Sequence, residues 1–199
     1  LNSLEPEHIS AYSLTVEEKT PLHKRVRDGS VQLPTEFMDV GFFQSTWQYL
    51  SANGYKRYEV SNYAKPHREC RHNLGYWEMT PYFGFGPSAH SYNGKKRWWN
   101  TDSLKKYMDR LTNNQSSAVE EEVLTPADHF NEYLFNGLRL SDGVTLDVLE
   151  SKFPGRDFQG YLCKAREKWN QLQIKNDYLY LSTEGWLLAD EIAADMFVE

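Results

Sequence analysis

The chain has 199 residues, enough for one large or two small domains with a buried core. Its 40% hydrophobic and 15% aromatic content excludes a disordered chain. No run of about 18 apolar residues is present to span a membrane, and the first residues, LNSLEPEHIS, lack the basic-then-apolar pattern of a secretion signal.

The formal net charge of −6 is unevenly spread. Residues 1–114 carry 15 Lys/Arg against 12 Asp/Glu, a net +3, whereas residues 115–199 carry 7 against 16, a net −9. The change falls at the polar run 112–117 (TNNQSS), which reads as a linker between two units. Two cysteines, Cys70 and Cys163, make no disulfide framework, which points to a reducing, cytoplasmic setting. The chain has no starting Met and enters a β-like run within a few residues, so a piece of a longer protein is expected.

In chain order, residues 8–14 (HISAYSL) are apolar and aromatic enough for a strand buried on both faces. Thr20-Pro21 opens a short helix to Arg27, and Asp28-Gly29 ends it. A long helix follows from Pro34-Thr35-Glu36, with Phe37, Val40, Phe43, Trp47 and Leu50 on one face and Asn53-Gly54 as its terminator. Tyr55–Val60 alternates as the next strand, which gives the βαβ rhythm of an α/β sheet. Residues 95–100 (KKRWWN) predict a short strand. Thr101-Asp102-Ser103 caps a helix to about Leu111, with Leu104, Tyr107, Met108 and Leu111 on one face.

Beyond residue 117, Thr125-Pro126 with Asp128 is a helix start that combines a capping hydroxyl, a first-turn proline and an acid. That helix carries Phe130, Leu134, Phe135 and Leu138. A second helix is predicted from Leu146 to Phe153, stopped by Pro154-Gly155, and a third from about Phe158 to Leu172. Residues 174–181 read as a hairpin around Asn176-Asp177. Ser182-Thr183-Glu184 leads to a last helix with Leu187, Leu188, Ile192, Met196 and Phe197 apolar. Three helices, a β-wing and a closing helix give a winged-helix-like arrangement. A nucleic-acid site needs a basic footprint, and a net charge of −9 argues against one, so packing or protein contact is the expected role.

The stretch Tyr55–Tyr92 holds His67, His72, His90, Cys70, many rings, and Arg57, Lys65, Arg68 and Arg71. Three readings compete there. His72, with His67 or Cys70 nearby, can ligate a metal or heme, with Tyr76, Trp77, Tyr82 and Phe83 as flat walls and Arg68 and Arg71 as cations for propionates. Against it stands the plainer reading that His72 and Asn73 bond loop backbone. The spacing His67, Cys70, His72 fits no closed zinc pattern. Alternatively, Gly84 and Gly86 line a nucleotide-like cofactor, although they lack the dinucleotide fingerprint and suit close packing in a buried strand as well. Acid–base or nucleophilic work by His90 with Ser88 or Ser91, or by Glu59, has no nucleophile elbow to support it.

The motifs HISAYSL (8–14), YEVSNYAKP (58–66), CRHNLGYW (70–77) and YFGFGPSAH (82–90), taken together, resemble the oxygen-independent coproporphyrinogen III oxidase-like proteins of the radical S-adenosylmethionine superfamily. The likeness is closest to the HemW branch, regarded as heme chaperones, whose His-Asn-x-x-Tyr-Trp motif is similar to His72-Asn73-Leu74-Gly75-Tyr76-Trp77. The second half, with NGLRLSDGV (136–144) and LSTEG (181–185), resembles that family's C-terminal domain.

The resemblance implies an α/β fold: residues 1–114 as the last strands and helices of a partial (β/α) barrel, and residues 115–199 as a small, mainly helical, winged-helix-like accessory domain. It implies His72 as candidate heme iron ligand, with Asn73, Tyr76 and Trp77 shaping its surroundings and Lys65, Arg68 and Arg71 near propionates. It further implies that strand 8–14 and the run from Gly86 to His90 contact S-adenosylmethionine. The family holds a [4Fe–4S] cluster on three closely spaced cysteines, and this chain has two cysteines in all. The cluster and S-adenosylmethionine are therefore expected of a longer parent, and this part alone is expected not to be an enzyme. Heme or porphyrin and a heme-accepting protein are the implied partners. Oxidative decarboxylation of coproporphyrinogen III by the parent and a purely protein-binding module remain as alternatives.

Overall fold

The computed structural model describes residues 4–199, which fall into two units that divide between Cys70 and Arg71. The expected boundary near 114 lies inside the second unit. The run 112–117 is a turn there: Asn113 caps the preceding helix, and Ser117 Oγ donates to Asn100 Oδ1 at 2.8 Å. Within the run, Asn113 Nδ2 donates to Asp109 O at 2.8 Å and Ser116 Oγ accepts from Ala118 N at 3.2 Å.

The first unit contains β1 (His8–Ser10), α1 (Pro21–Arg27), α2 (Glu36–Ala52), β2 (Lys56–Glu59) and β3 (Asn62–Ala64). Thr20 and Thr35 cap the two helices, each hydroxyl accepting from the backbone N–H three residues on. The expected strand 8–14 is cut short at Ser10. The expected β-α-β pattern is also modified. β1 and β2 run parallel, but β3 lies between them and pairs antiparallel with both. A tight reversal allows this, because the Glu59 carboxylate accepts from Ser61 N at 3.0 Å and Asn62 Nδ2 at 2.6 Å. Glu59 and Asn62 are almost fully buried as a result, and their bonding offsets the cost of burying them.

Leu50, Tyr55 and Tyr63, with Ile9, Ala11 and Trp47 against them, form this unit's core. The predicted apolar face of α2 is fully buried only at its C-terminal end, although Phe43 reaches Arg57 of β2 at 5.0 Å. Leu50 is 3% exposed, whereas Phe37 is 87% exposed. Seventeen helical residues extend about 25 Å, and three-residue strands extend about 10 Å. The N-terminal half of α2 outruns the sheet.

The second unit contains α3 (Arg71–Trp77), β4 (His90–Tyr92), β5 (Lys96–Asn100), α4 (Leu104–Thr112), β6 (Ala118–Val123) and α5 (Pro126–Leu138). It continues through β7 (Val144–Thr145), α6 (Leu146–Lys152), α7 (Phe158–Lys168), β8 (Leu172–Lys175), β9 (Tyr178–Leu181) and, after a 3-10 turn, α8 (Ala189–Asp195). One antiparallel sheet has the order β4-β5-β6 and the other β7-β9-β8. The predicted apolar stripe of α4 stays open, with Leu104, Met108 and Leu111 exposed.

The region from α5 onward is winged-helix-like. Its core holds Phe130, Leu134, Leu138, Leu149, Leu179 and Ile192, all at 0% exposure. Thr125 and Asp128 form a reciprocal capping box at the start of α5. Asn176 and Asp177 both take left-handed φ, 50° and 67°, as a two-residue primed hairpin turn requires. The third predicted helix stops at Lys168, because Leu172 is drawn into the pairing Leu172↔Leu181.

Candidate functional site

Residues Arg71–Trp77 (RHNLGYW) form a single seven-residue helix with no fully buried residue. So short a helix is marginal by itself, since nucleation costs more than two turns return. The i, i+4 spacing brings His72 and Tyr76 together on one face. Their rings meet edge to face with centroids 4.9 Å apart. Tyr76 meets Tyr82 the same way at 4.7 Å, and Tyr82 lies 6.2 Å from Tyr92. His72 and Arg71 are exposed, Asn73 is half-buried, and Tyr76 is 42% exposed.

Trp77 faces other partners. The Arg139 guanidinium lies 5.1 Å from the indole centroid. The Trp77 Nε1–H is buried and has no hydrogen-bond acceptor among the described residues. A buried indole N–H ordinarily finds a partner, so this donor marks an incomplete polar set.

Tyr76 and Trp77 line a cavity of about 320 Å³ with Tyr82, His90, Tyr92 and Arg97. Arg97 Nη2 donates to both Glu132 carboxylate oxygens, at 2.9 and 3.0 Å. Burial works to lower the Arg97 pKa, but the charge and hydrogen bonds of Glu132, together with those of Tyr82, outweigh it and raise it. Burial pushes the Tyr92 phenol up, and nearby Glu132 adds to that shift.

The run 82–90 shapes one wall. Tyr82 and Tyr92 exchange backbone bonds at 2.8 and 2.9 Å, so the segment between them folds back as a loop and not as the buried strand weighed above. A Cβ at Gly84 would stand 2.0 Å from the His90 carbonyl oxygen, so only glycine fits there. Gly86 takes φ +104°, donates its N–H to Tyr107 Oη at 3.1 Å, and accepts from Asn100 Nδ2 at 2.9 Å. Phe83 and Phe85 are 74% and 88% exposed. The His90 ring stacks on Trp99 at 5.3 Å.

The sequence-predicted residues therefore separate into groups. Tyr76, Trp77 and His90 share one cavity, and His72 stands beside it on the outer face of α3. Arg68 belongs to the first unit, where it is exposed and donates its backbone N–H to Lys65 O at 2.9 Å. Lys65 Nζ lies 3.9 Å from Glu5 and 5.8 Å from the Tyr55 ring centroid. In that same unit Ala11, Tyr12 and Leu14 line a cavity of about 340 Å³ with Phe42, Phe43 and Tyr63. Among the described residues no three His, Cys, Asp or Glu side chains gather as a metal site. A [4Fe–4S] cluster does not fit the donor set, because Cys70 and Cys163 are two thiols in different units. Sequence reading missed Arg97, Glu132 and Arg139. They reach the site from β5 and α5, and no local pattern announces such distant pairings.

Comparison with known proteins places these features. Residues 124–188 match the HemN C-terminal domain. The chain is 32% identical over 193 residues to heme chaperone HemW of Bacillus subtilis, covering 96% of this chain and 51% of that protein. It is 36% identical over 187 residues to heme chaperone HemW of Mycobacterium tuberculosis (strain H37Rv), covering 94% and 46%. The chain thus spans about half the length of these curated relatives. Its fold matches the Escherichia coli coproporphyrinogen III oxidase (HemN), a radical SAM enzyme, with TM-score 0.71 at 16% identity, covering 98% of this chain and 49% of that one. No helix among the described residues is long and apolar enough to cross a membrane.

Proposed function

The chain belongs to the HemW-like family and carries the HemN C-terminal domain, and from that premise we propose that it is part of a protein that binds heme and hands it to an acceptor protein. The observation that carries this reading is the helix Arg71–Trp77, which sets an exposed imidazole, His72, edge-on to Tyr76 at 4.9 Å. An open imidazole beside flat rings suits a heme face, and the unpartnered Trp77 N–H suits an acceptor oxygen on the ligand. Bound heme would supply an iron that a neutral imidazole can ligate. In this proposal His72 is the ligand, Asn73, Tyr76 and Trp77 shape the seat, and Arg71 neutralises a propionate. Gly86 holds the cavity wall that carries His90.

The division at 114, with a partial barrel before it and an accessory domain after it, belongs to the same proposal. So do a cytoplasmic location and S-adenosylmethionine contact, in the longer parent, along residues 8–14 and along Gly86–His90. The match to HemN supports the fold, whereas the His-Asn-x-x-Tyr-Trp helix and the HemW relatives favour heme delivery over decarboxylation.

Hemin titration of the protein followed by absorption spectroscopy tests the reading. His72→Ala is expected to abolish or shift the Soret band and weaken uptake at least about tenfold, the loss of one strong bond. An unchanged spectrum and affinity would overturn it.

A further inference from the structure

We infer that Arg139, at the end of α5 in the HemN C-terminal domain, is a positioning residue that holds the α3 helix in its working pose through Trp77. The inference rests on the heme reading only for what α3 does once it is held. Three observations converge. First, α3 has seven residues and none of them is fully buried, so its order must come from contacts outside itself. Second, Arg139 lies with its guanidinium 5.1 Å from the Trp77 ring and 5.8 Å from the Phe135 ring. Contact between α3 and the domain matched as HemN C-terminal is made with α5. Third, the cation is itself fixed from a separate helix, because Arg139 Nη1 donates to Asp190 Oδ1 of α8 at 2.5 Å.

The Arg139 side chain is 16% exposed. A planar guanidinium stacks flat on an indole face while its edge bonds a carboxylate, whereas an ammonium meets both only as a point charge and without the stacked plane. Trp77 is the last residue of the motif, and it shares a helix with His72. Fixing the indole therefore fixes the azimuth of the helix and with it the direction of the imidazole. The C-terminal domain then has a stated task, which is to orient the His-Asn-x-x-Tyr-Trp helix.

The test uses Arg139→Ala, Arg139→Lys and Asp190→Asn, with two readouts. Amide hydrogen exchange without heme is expected to rise about tenfold over residues 72–78 in Arg139→Ala, less in Arg139→Lys, and least in Asp190→Asn. Exchange in β8 and β9 should stay at the wild-type rate. Hemin affinity should fall by about tenfold in Arg139→Ala with the Soret position unchanged, because the ligand is the same and only its placement is lost. Should Arg139→Ala fail to fold, the milder Asp190→Asn carries the same comparison.

Unchanged exchange over 72–78 in the folded variants overturns the inference. Faster exchange with unchanged hemin affinity overturns the link to the site. Faster exchange in a protein whose wild type takes up no hemin supports the positioning role and removes the heme reading instead.

Discussion

The first unit and the region from α5 to α8 use the same apolar alphabet with different results. In the C-terminal region α5 meets α6, α8 and the sheet β7-β9-β8, and Phe130, Leu134, Leu138 and Leu179 reach 0% exposure. In the first unit, long α2 meets a sheet of very short strands, and Tyr12, Leu14, Phe37 and Phe42 remain 55–87% exposed. Periodicity sets which residues can share a face. Burial also requires an opposing layer of matching length, and only the C-terminal region has one on every side of its central helix. The first unit compensates in part with the buried pair Glu59 and Asn62, joined by exposed Ser10, whose bonds of 2.6 Å fix the sheet register.

The sharpest way to break this contrast is to remove side-chain volume on each side of it. Leu134→Ala is expected to cost about 3 kcal/mol, measured by urea unfolding of the C-terminal region, because it leaves a cavity that closed packing cannot refill. A loss under about 1 kcal/mol would mean that this core is as slack as the first unit.

A smaller effect is expected at the helix start. Thr125→Ala removes the capping hydroxyl that accepts from Asp128 N at 3.1 Å and should cost about 1 kcal/mol. The Asp128 carboxyl is held below the usual carboxylate range by its bonds to the Thr125 backbone N–H and hydroxyl. Its folded pKa is depressed, so its contribution is present above the unfolded value and fades as pH falls through the folded one. The variant should lose the hydroxyl's share of that acid-limb dependence and keep the larger share from the Thr125 backbone N–H, and thermal melts from about pH 5 down to about pH 2 would detect the difference.

The smallest effect is expected at Phe37→Ser. At 87% exposure this ring contributes little to the fold, and thermal unfolding should move by no more than about 0.5 kcal/mol. A larger destabilisation would erase the contrast between the two regions.

Elements with local chemistry were legible in the sequence. The caps at Thr20, Thr35, Ser103 and Thr125 and the turn at Asn176-Asp177 each rest on a side chain or dihedral demand that neighbouring residues meet. β3 was not legible, because Asn62-Tyr63-Ala64 lacks strand composition and is held by a hydrogen bond that Asn62 donates to Glu59 and one that it accepts from Ser10. β6 was not legible either, because Glu120–Glu122 looks like solvated chain, and the strand exists through pairing with β5. At the site, the motif from His72 to Trp77 could be read from its residues. Its helical form and its dependence on Arg139 could not, since that contact spans some sixty positions and leaves no periodic trace.

The acidic strand β6 also bears on how the molecule behaves at high concentration. It is the outer strand of its sheet, and an outer strand presents unpaired N–H and C=O groups that another chain can extend. Val119 and Val123 along it are exposed, which would make it adhesive. Glu120, Glu121 and Glu122 stand between them, also exposed, with Lys96 Nζ bonded to Glu121 at 2.6 Å. Two such edges brought side by side would align six carboxylates, and that repulsion keeps the sheet from growing from one molecule into the next.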